Sequence, residues 1–310
     1  MPNLSINIGK LKLKNPVMVA SGTFGYAEEF NDFLDLKNLG AIVSKTITLN
    51  PRKGNLPPRT CETPAGMLNS IGLENPGLEV FLKEKLPFLE NIGVPIIISV
   101  ASEKGPEEFV ELASRVNKIN NVAALELNIS CPNIKEPRAK SQEPRMISQD
   151  PKATYNLVKL VRKATQKTLI TKLSPNVTDV TEIALAAEKA GSDAISLINT
   201  ITAMTIDIQK RKPKIAAVTG GLSGPAIRPI AVRMVWEIYQ KIKIPIIGMG
   251  GIMDTSSALE FFLAGATAVS IGTANFVNPR VSIEIIEGIK KYLIKNKIKD
   301  IKTLIGSLKI

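Results

Sequence analysis

The sequence contains no histidine and only two cysteines in 310 residues. The first absence excludes Ser-His-Asp triads, imidazole general bases and histidine zinc sites together. Two thiols, Cys61 and Cys131, cannot form a disulfide framework or supply the four thiolates of an iron–sulfur cluster, so a reducing, cytoplasmic location is expected. Aromatic residues are only 5% of the chain, with a single tryptophan, so no stacking platform is interleaved with the basic residues. Those basic residues, 40 Lys+Arg against 28 Asp+Glu for a net +12, are scattered at helical spacing, as in Lys159, Arg162 and Lys163. Nucleic-acid binding is therefore not expected, and the charge suits anionic ligands. Long apolar runs are also lacking. The best candidate, 261–279, is broken by Gly265, Thr267, Ser270, Gly272, Thr273 and Asn275, so no membrane span is expected. The N-terminal Met1-Pro-Asn-Leu-Ser has no basic-then-apolar leader, and export is not expected. Chemistry is left to Cys, Lys, Ser, Thr and carboxylates.

What is present is a repeat of short apolar, β-branched runs separated by stretches of helical period. Strands are predicted at 16–21, 41–46, 95–101, 124–130, 169–174, 194–200, 245–250 and 268–273. Amphipathic helices are predicted at 106–116, 151–164, 177–190, 227–241 and 255–264, with Asp179 and Asp254 at starts and Gly191 and Gly265 at stops. Eight β-then-α units favour a single α/β domain over 1–310, a (β/α)8 TIM barrel rather than an open doubly wound sheet. The alternating segment around Gly9 reads as a short N-terminal hairpin placed to close the barrel's N-terminal end. Three connections, 46–78, 132–150 and 200–226, are long and follow strands, which places them over the C-terminal mouth where barrels keep their active sites.

The predicted strand ends are unusually polar: Ser21, Lys45 with Thr46, Ser99, Asn128 with Cys131, Lys172, Asn199 with Thr200, Gly250-Gly251 and Gly272-Thr273. Glycines at the ends of the last two strands let backbone N–H groups approach a phosphate. Lys45 and Lys172 each sit in a strand's last turn. Either could be a Schiff-base amine or a fixed cation for an anionic ligand, and the residues alone leave both open. Cys131, just past the fourth strand in a chain without histidine, is the candidate base or nucleophile. Cys61, in the long second connection, has no such company of mouth residues and reads as structural.

The segments Glu126-Leu-Asn-Ile-Ser-Cys-Pro-Asn133, Lys172-Leu-Ser-Pro-Asn-Val177, Gly220-Gly-Leu-Ser-Gly-Pro-Ala-Ile227 and Asn69-Ser-Ile-Gly-Leu73 resemble class 1 dihydroorotate dehydrogenases over essentially the whole chain. Asn199-Thr-Ile-Thr-Ala-Met-Thr-Ile-Asp207 with Arg211-Lys-Pro213 is most similar to the class 1B catalytic subunit. The resemblance implies FMN in the barrel mouth and oxidation of dihydroorotate to orotate in pyrimidine synthesis, a cysteine taking the C5 proton while the C6 hydride passes to flavin N5. By motif, Cys131 is the base, and a thiol titrating near 8.5 favours mildly alkaline conditions. Lys172 stabilises negative charge on the reduced flavin. FMN contacts are implied for Ser21, Lys45, Thr46, Ser99, Asn128, Lys172, Ile198, Gly224, Gly250, Gly251, Gly272 and Thr273. Substrate contacts are implied for Lys45, Asn69, Ser70, Ile71, Gly72, Leu73, Asn128, Asn133, Asn199 and Thr200.

Two departures stand out. Ser99 occupies a position where the family usually has Asn, and the charged, glycine-free 134–146 segment differs from the family's glycine-containing connection and is expected to act as a lid. The class 1B likeness further implies a partner subunit carrying FAD and a 2Fe–2S cluster that passes electrons to NAD, around a homodimeric core in a heterotetramer. A fumarate-linked homodimeric enzyme is the alternative, and a lysine-dependent aldolase barrel or a basic scaffold are more distant ones.

Overall fold

The computed structural model describes residues 1–130 and 147–310. Eight parallel strands, β1 (Val17–Val19), β2 (Ala41–Val43), β3 (Ile96–Val100), β4 (Val122–Asn128), β5 (Thr168–Lys172), β6 (Ala194–Leu197), β7 (Ile246–Gly248) and β8 (Ala268–Ile271), close into a barrel. Each strand pairs with the next, and β8 returns to β1 through Ser270 and Met18. The fold is a (β/α)8 TIM barrel. Every strand predicted from the sequence is one of these eight, each found within two residues of its expected start and shorter at its C-terminal end. The runs were legible because both faces are covered: β3 and β8 are buried at all positions and read as largely apolar stretches.

The outer helices include α1 (Leu86–Ile92), α2 (Pro106–Asn117), α3 (Pro151–Ala164), α4 (Val180–Lys189), α5 (Arg228–Tyr239), α6 (Thr255–Ala264), the short α7 (Ala274–Val277) and α8 (Val281–Lys295). Their starts follow local chemistry. Asp179 accepts from the Thr181 N–H, and Asp254 with Ser257 completes a reciprocal capping box. Hydrogen bonds hold these carboxylates below the ordinary range, from the Thr181 hydroxyl at Asp179 and from the Ser257 N–H at Asp254. Such a group stabilises the fold above the unfolded carboxylate pKa, and that contribution is lost as pH falls through the lower folded value. Asp254→Ala is therefore expected to cost about 1 kcal/mol at neutral pH. The gap in melting temperature from the parent protein should narrow as the pH drops below about 4, and thermal melts across that range check it.

The predicted hairpin pairs Ile6–Ile8 with Leu11–Leu13, and Gly9 turns at φ +56°. A Cβ there would stand 2.9 Å from Asp193 Cβ and 3.4 Å from Thr168 Cγ2, at the starts of β6 and β5. The hairpin thus packs on the N-terminal end of the barrel, as expected.

At the opposite end, two of the long connections build something the sequence did not announce. Ile201–Ala203, Gly220–Ser223, Gly66–Asn69 and Thr60–Thr63 form a four-stranded antiparallel sheet. Gly221 pairs with Asn69 in this sheet, joining two loops far apart in the chain over the barrel mouth.

Candidate active site

The C-terminal ends of the barrel strands and the antiparallel sheet enclose a cavity of about 510 Å³. Its glycine-rich region comes from the ends of β7 and β8. Gly251 sits at φ +73°, where a Cβ would lie 2.8 Å from Gly224 O and 2.7 Å from Arg228 Cβ. Only glycine fits there without displacing backbone. Gly272 is the complementary case: an added Cβ would meet only Ala20 Cβ at 3.9 Å, so its missing side chain leaves the space beside its backbone open. Thr273 Oγ1 donates to Ser223 Oγ at 2.7 Å, tying this region to the antiparallel sheet. Backbone N–H groups, small residues and hydroxyls are the donor set for a phosphate, so these residues fit the phosphate end of a flavin mononucleotide. Gly251→Ala is expected to reduce retention of that ligand at least tenfold while leaving the far barrel intact. Flavin content after gel filtration, with a melt as control, checks it.

Two lysines reach the same cavity. Lys172, at the end of β5, is only 5% exposed, and its Nζ donates to Ser21 Oγ at 2.9 Å across the mouth. Lys45 lines the wall just beyond β2, and no side chain among the described residues accepts from its Nζ. Among the described residues the cavity's one carboxylate, Glu74, is paired with Arg59, so the unpaired charge they turn inward is positive.

Amide side chains form the rest of the polar wall. Asn128 Nδ2 donates to Thr46 Oγ1 at 3.3 Å, and Asn128 Oδ1 accepts from Ser130 Oγ at 2.8 Å and from Asn199 Nδ2 at 3.3 Å. Asn199 Nδ2 also donates to Ser130 Oγ, and Asn199 Oδ1 accepts the Thr200 N–H at 2.8 Å. Asn69 donates to Gly221 O at 3.2 Å. The Asn69–Leu73 segment is held from behind by Asn55, whose Nδ2 donates to Ser70 Oγ at 2.7 Å and to Ser70 O at 3.1 Å.

Of the residues singled out in the sequence, Ser21, Lys45, Thr46, Asn69, Ser70, Ile71, Gly72, Leu73, Asn128, Lys172, Ile198, Asn199, Thr200, Gly224, Gly250, Gly251, Gly272 and Thr273 all line this one cavity. Cys131 and Asn133 lie outside the described residues, as does the segment expected to be a lid. Ser99 is the residue the fold does not bring to the wall. It is fully buried, and its Oγ lies 2.9 Å from Thr46 Oγ1. The reason is depth: β3 continues to Val100, so Ser99 sits below the rim. Cys61 stays off the wall, in the antiparallel sheet, with Sγ 3.1 Å from Thr205 Oγ1. Sequence reasoning passed over Asn55, Ser130 and Ser223. Ser130 and Ser223 lie inside motifs already quoted, whereas Asn55 had no local signal.

The dihydroorotate dehydrogenase family model matches residues 3–293. The chain belongs to the dihydroorotate dehydrogenase family. It is 54% identical over 307 residues to the dihydroorotate dehydrogenase B (NAD(+)) catalytic subunit of Geotalea uraniireducens, covering 99% of this chain and 98% of that protein. The subunit of the same name from Geotalea daltonii is 54% identical over 309 residues, covering 100% and 99%. That of Thermoanaerobacter pseudethanolicus is 52% identical over 308 residues, covering 99% of each. For a dihydroorotate dehydrogenase, a cavity lined by lysines, amides and a glycine cradle is chemically apt. A flat pyrimidine-dione ring with a carboxylate offers the acceptors such a wall binds.

Proposed function

We propose that this chain is the FMN-binding catalytic subunit of an NAD-linked dihydroorotate dehydrogenase, oxidising dihydroorotate to orotate in pyrimidine biosynthesis. The observation that carries the reading is convergence. Asn69, Asn128, Asn199, Lys45 and Lys172, drawn from five separate segments, share one cavity with the glycines of β7 and β8.

In this reading Gly224, Gly250, Gly251, Gly272 and Thr273 hold the phosphate of FMN, and Ser21, Thr46, Asn128, Lys172 and Ile198 hold its ring. When bound, FMN supplies the two-electron acceptor that the oxidation requires. Asn69, Asn128, Asn133, Asn199, Thr200 and the Ser70–Leu73 backbone orient the substrate ring, while Lys45 meets its carboxylate. Cys131 Sγ takes the C5 proton. Cys131 follows Ser130 directly in the chain, and Ser130 is in hydrogen-bond contact with Asn128 and Asn199. Lys172, desolvated beside Ser21, fixes a positive charge where electron density arrives.

Electrons must then leave, and two cysteines cannot build a relay within this chain. The relatives named above are all called catalytic subunits of NAD(+)-linked enzymes. A partner subunit carrying FAD and a 2Fe–2S cluster fits that need, around a homodimer of this chain, in the cytoplasm. Among the described residues no helix is long and apolar enough to cross a membrane. The test is to identify the flavin released by acid and to assay the chain with and without its partner. The expected result is FMN, with NAD reduction by dihydroorotate only when the partner is added. Full turnover on fumarate by the chain alone would show a fumarate-linked homodimer instead.

A further inference from the structure

Ser99 does not line the cavity, so its role needs another explanation. Its Oγ is fully buried, and Thr46 Oγ1 at 2.9 Å is its only partner among the described residues. A buried hydroxyl that does not donate wastes its proton in a place water cannot reach. If Thr46 donated to Ser99, the Ser99 proton would have no acceptor. If Ser99 donates to Thr46, the buried Ser99 proton is satisfied. Thr46 Oγ1 then accepts twice, from Ser99 Oγ–H and from Asn128 Nδ2–H at 3.3 Å. Both of its lone pairs are filled, and its own proton has one remaining direction, the cavity that Thr46 lines.

Asn128 is fixed by the same bookkeeping. Its Oδ1 accepts from Ser130 and Asn199, and one Nδ2 proton goes to Thr46, which settles the amide's orientation. The second Nδ2 proton remains for the cavity. Thr46 and Asn128 therefore face the ligand as donors only.

From this geometry we infer that Ser99 is a positioning residue: by donating to Thr46 Oγ1 it makes the Thr46 hydroxyl an obligate hydrogen-bond donor to an acceptor atom of the bound ring. The inference rests on the proposed flavin site and adds to it the direction of one hydrogen bond and the residue that sets it. A donor aimed at a heteroaromatic acceptor stabilises the electron-rich reduced ring more than the oxidised ring, because the acceptor gains negative charge on reduction. The bond should therefore raise the reduction potential of the bound flavin, a quantity that a merely structural serine would not move.

The experiment is a redox titration of the FMN-loaded protein, parent and variants, read from the flavin absorbance. Thr46→Val, which deletes the donor, is expected to lower the midpoint potential, so that reduced FMN binds about tenfold less tightly relative to oxidised FMN. Thr46→Ser, which keeps the hydroxyl, should restore the parent value. Ser99→Ala should shift the potential in the same direction by a smaller amount, because Thr46 can still donate but is no longer compelled to. An unchanged potential in Thr46→Val would show that the wall donates nothing to the ring. A lowered potential in Thr46→Val with Ser99→Ala at the parent value would show that Ser99 plays no positioning part. Failure of the parent protein to bind FMN would overturn the proposed flavin site and this inference with it, an outcome distinct from the other two.

Discussion

Cys131→Ala is expected to slow reduction of the bound flavin by dihydroorotate by about 10²–10⁴-fold, the range a positioned general base supplies. The chain has no histidine to substitute for it. Among the described residues the cavity's one carboxylate, Glu74, is engaged by Arg59, and their remaining polar wall consists of amides, hydroxyls and lysines. Amides and hydroxyls are not bases suited to neutral pH, and the ammonium groups of Lys45 and Lys172 donate hydrogen bonds but have no lone pair to take a proton. Flavin content and orotate affinity should be nearly unchanged, because only proton abstraction is removed. Cys131→Ser should fall between the two, since a hydroxyl ionises far less readily than a thiol. Anaerobic stopped-flow traces measure the effect, and parent-like reduction rates in Cys131→Ala would remove Cys131 from the chemistry.

The second large effect is expected at Lys172. Lys172→Met keeps the length and apolar stem of the side chain but removes the amine, and flavin reduction should slow about 10²–10³-fold. The magnitude follows from burial. A positive group that is 5% exposed acts through a low-dielectric medium, where it is worth far more than at a surface. Its orientation is prepaid by the Ser21 contact, so no rearrangement is needed when charge develops. The variant should lose rate more than it loses affinity for FMN, because the amine matters most once electrons arrive. Reduction within a few-fold of the parent rate, measured on the same anaerobic instrument, would show that the charge sits elsewhere.

The parts of the fold that position these groups were legible for a physical reason. A parallel strand covered on both faces is mostly apolar, and β3, β4 and β8 are. The polar residues that interrupt or end such runs, Asn128 and Lys172 among them, therefore had to face the barrel interior or its mouth. The antiparallel sheet over the mouth was not legible. Its strands are three or four residues long, half-exposed and rich in glycine, and they pair Asn69 with Gly221, 152 residues apart in the chain. No local period encodes such a partnership. Ser99 illustrates a finer limit. A strand's sequence shows that its end is polar, but not how far below the rim each polar residue lies. The sequence puts Ser99 at the strand's polar end, whereas its place behind Thr46, one layer below the rim, shows only in the structure, where β3 runs to Val100. Asn55 marks the same limit in loops, since it joins the cavity wall and holds Ser70 with no local pattern to announce it.

The most direct measurement is the visible absorbance of the purified protein under anaerobic conditions, before and after dihydroorotate is added. The expected result is a yellow flavin spectrum that bleaches within the mixing time of the experiment and returns when an acceptor is supplied. Flavin that stays oxidised in the presence of dihydroorotate would leave the cavity's cofactor in place and contradict its substrate. A colourless protein that takes up no FMN would contradict the reading of the glycine cradle itself.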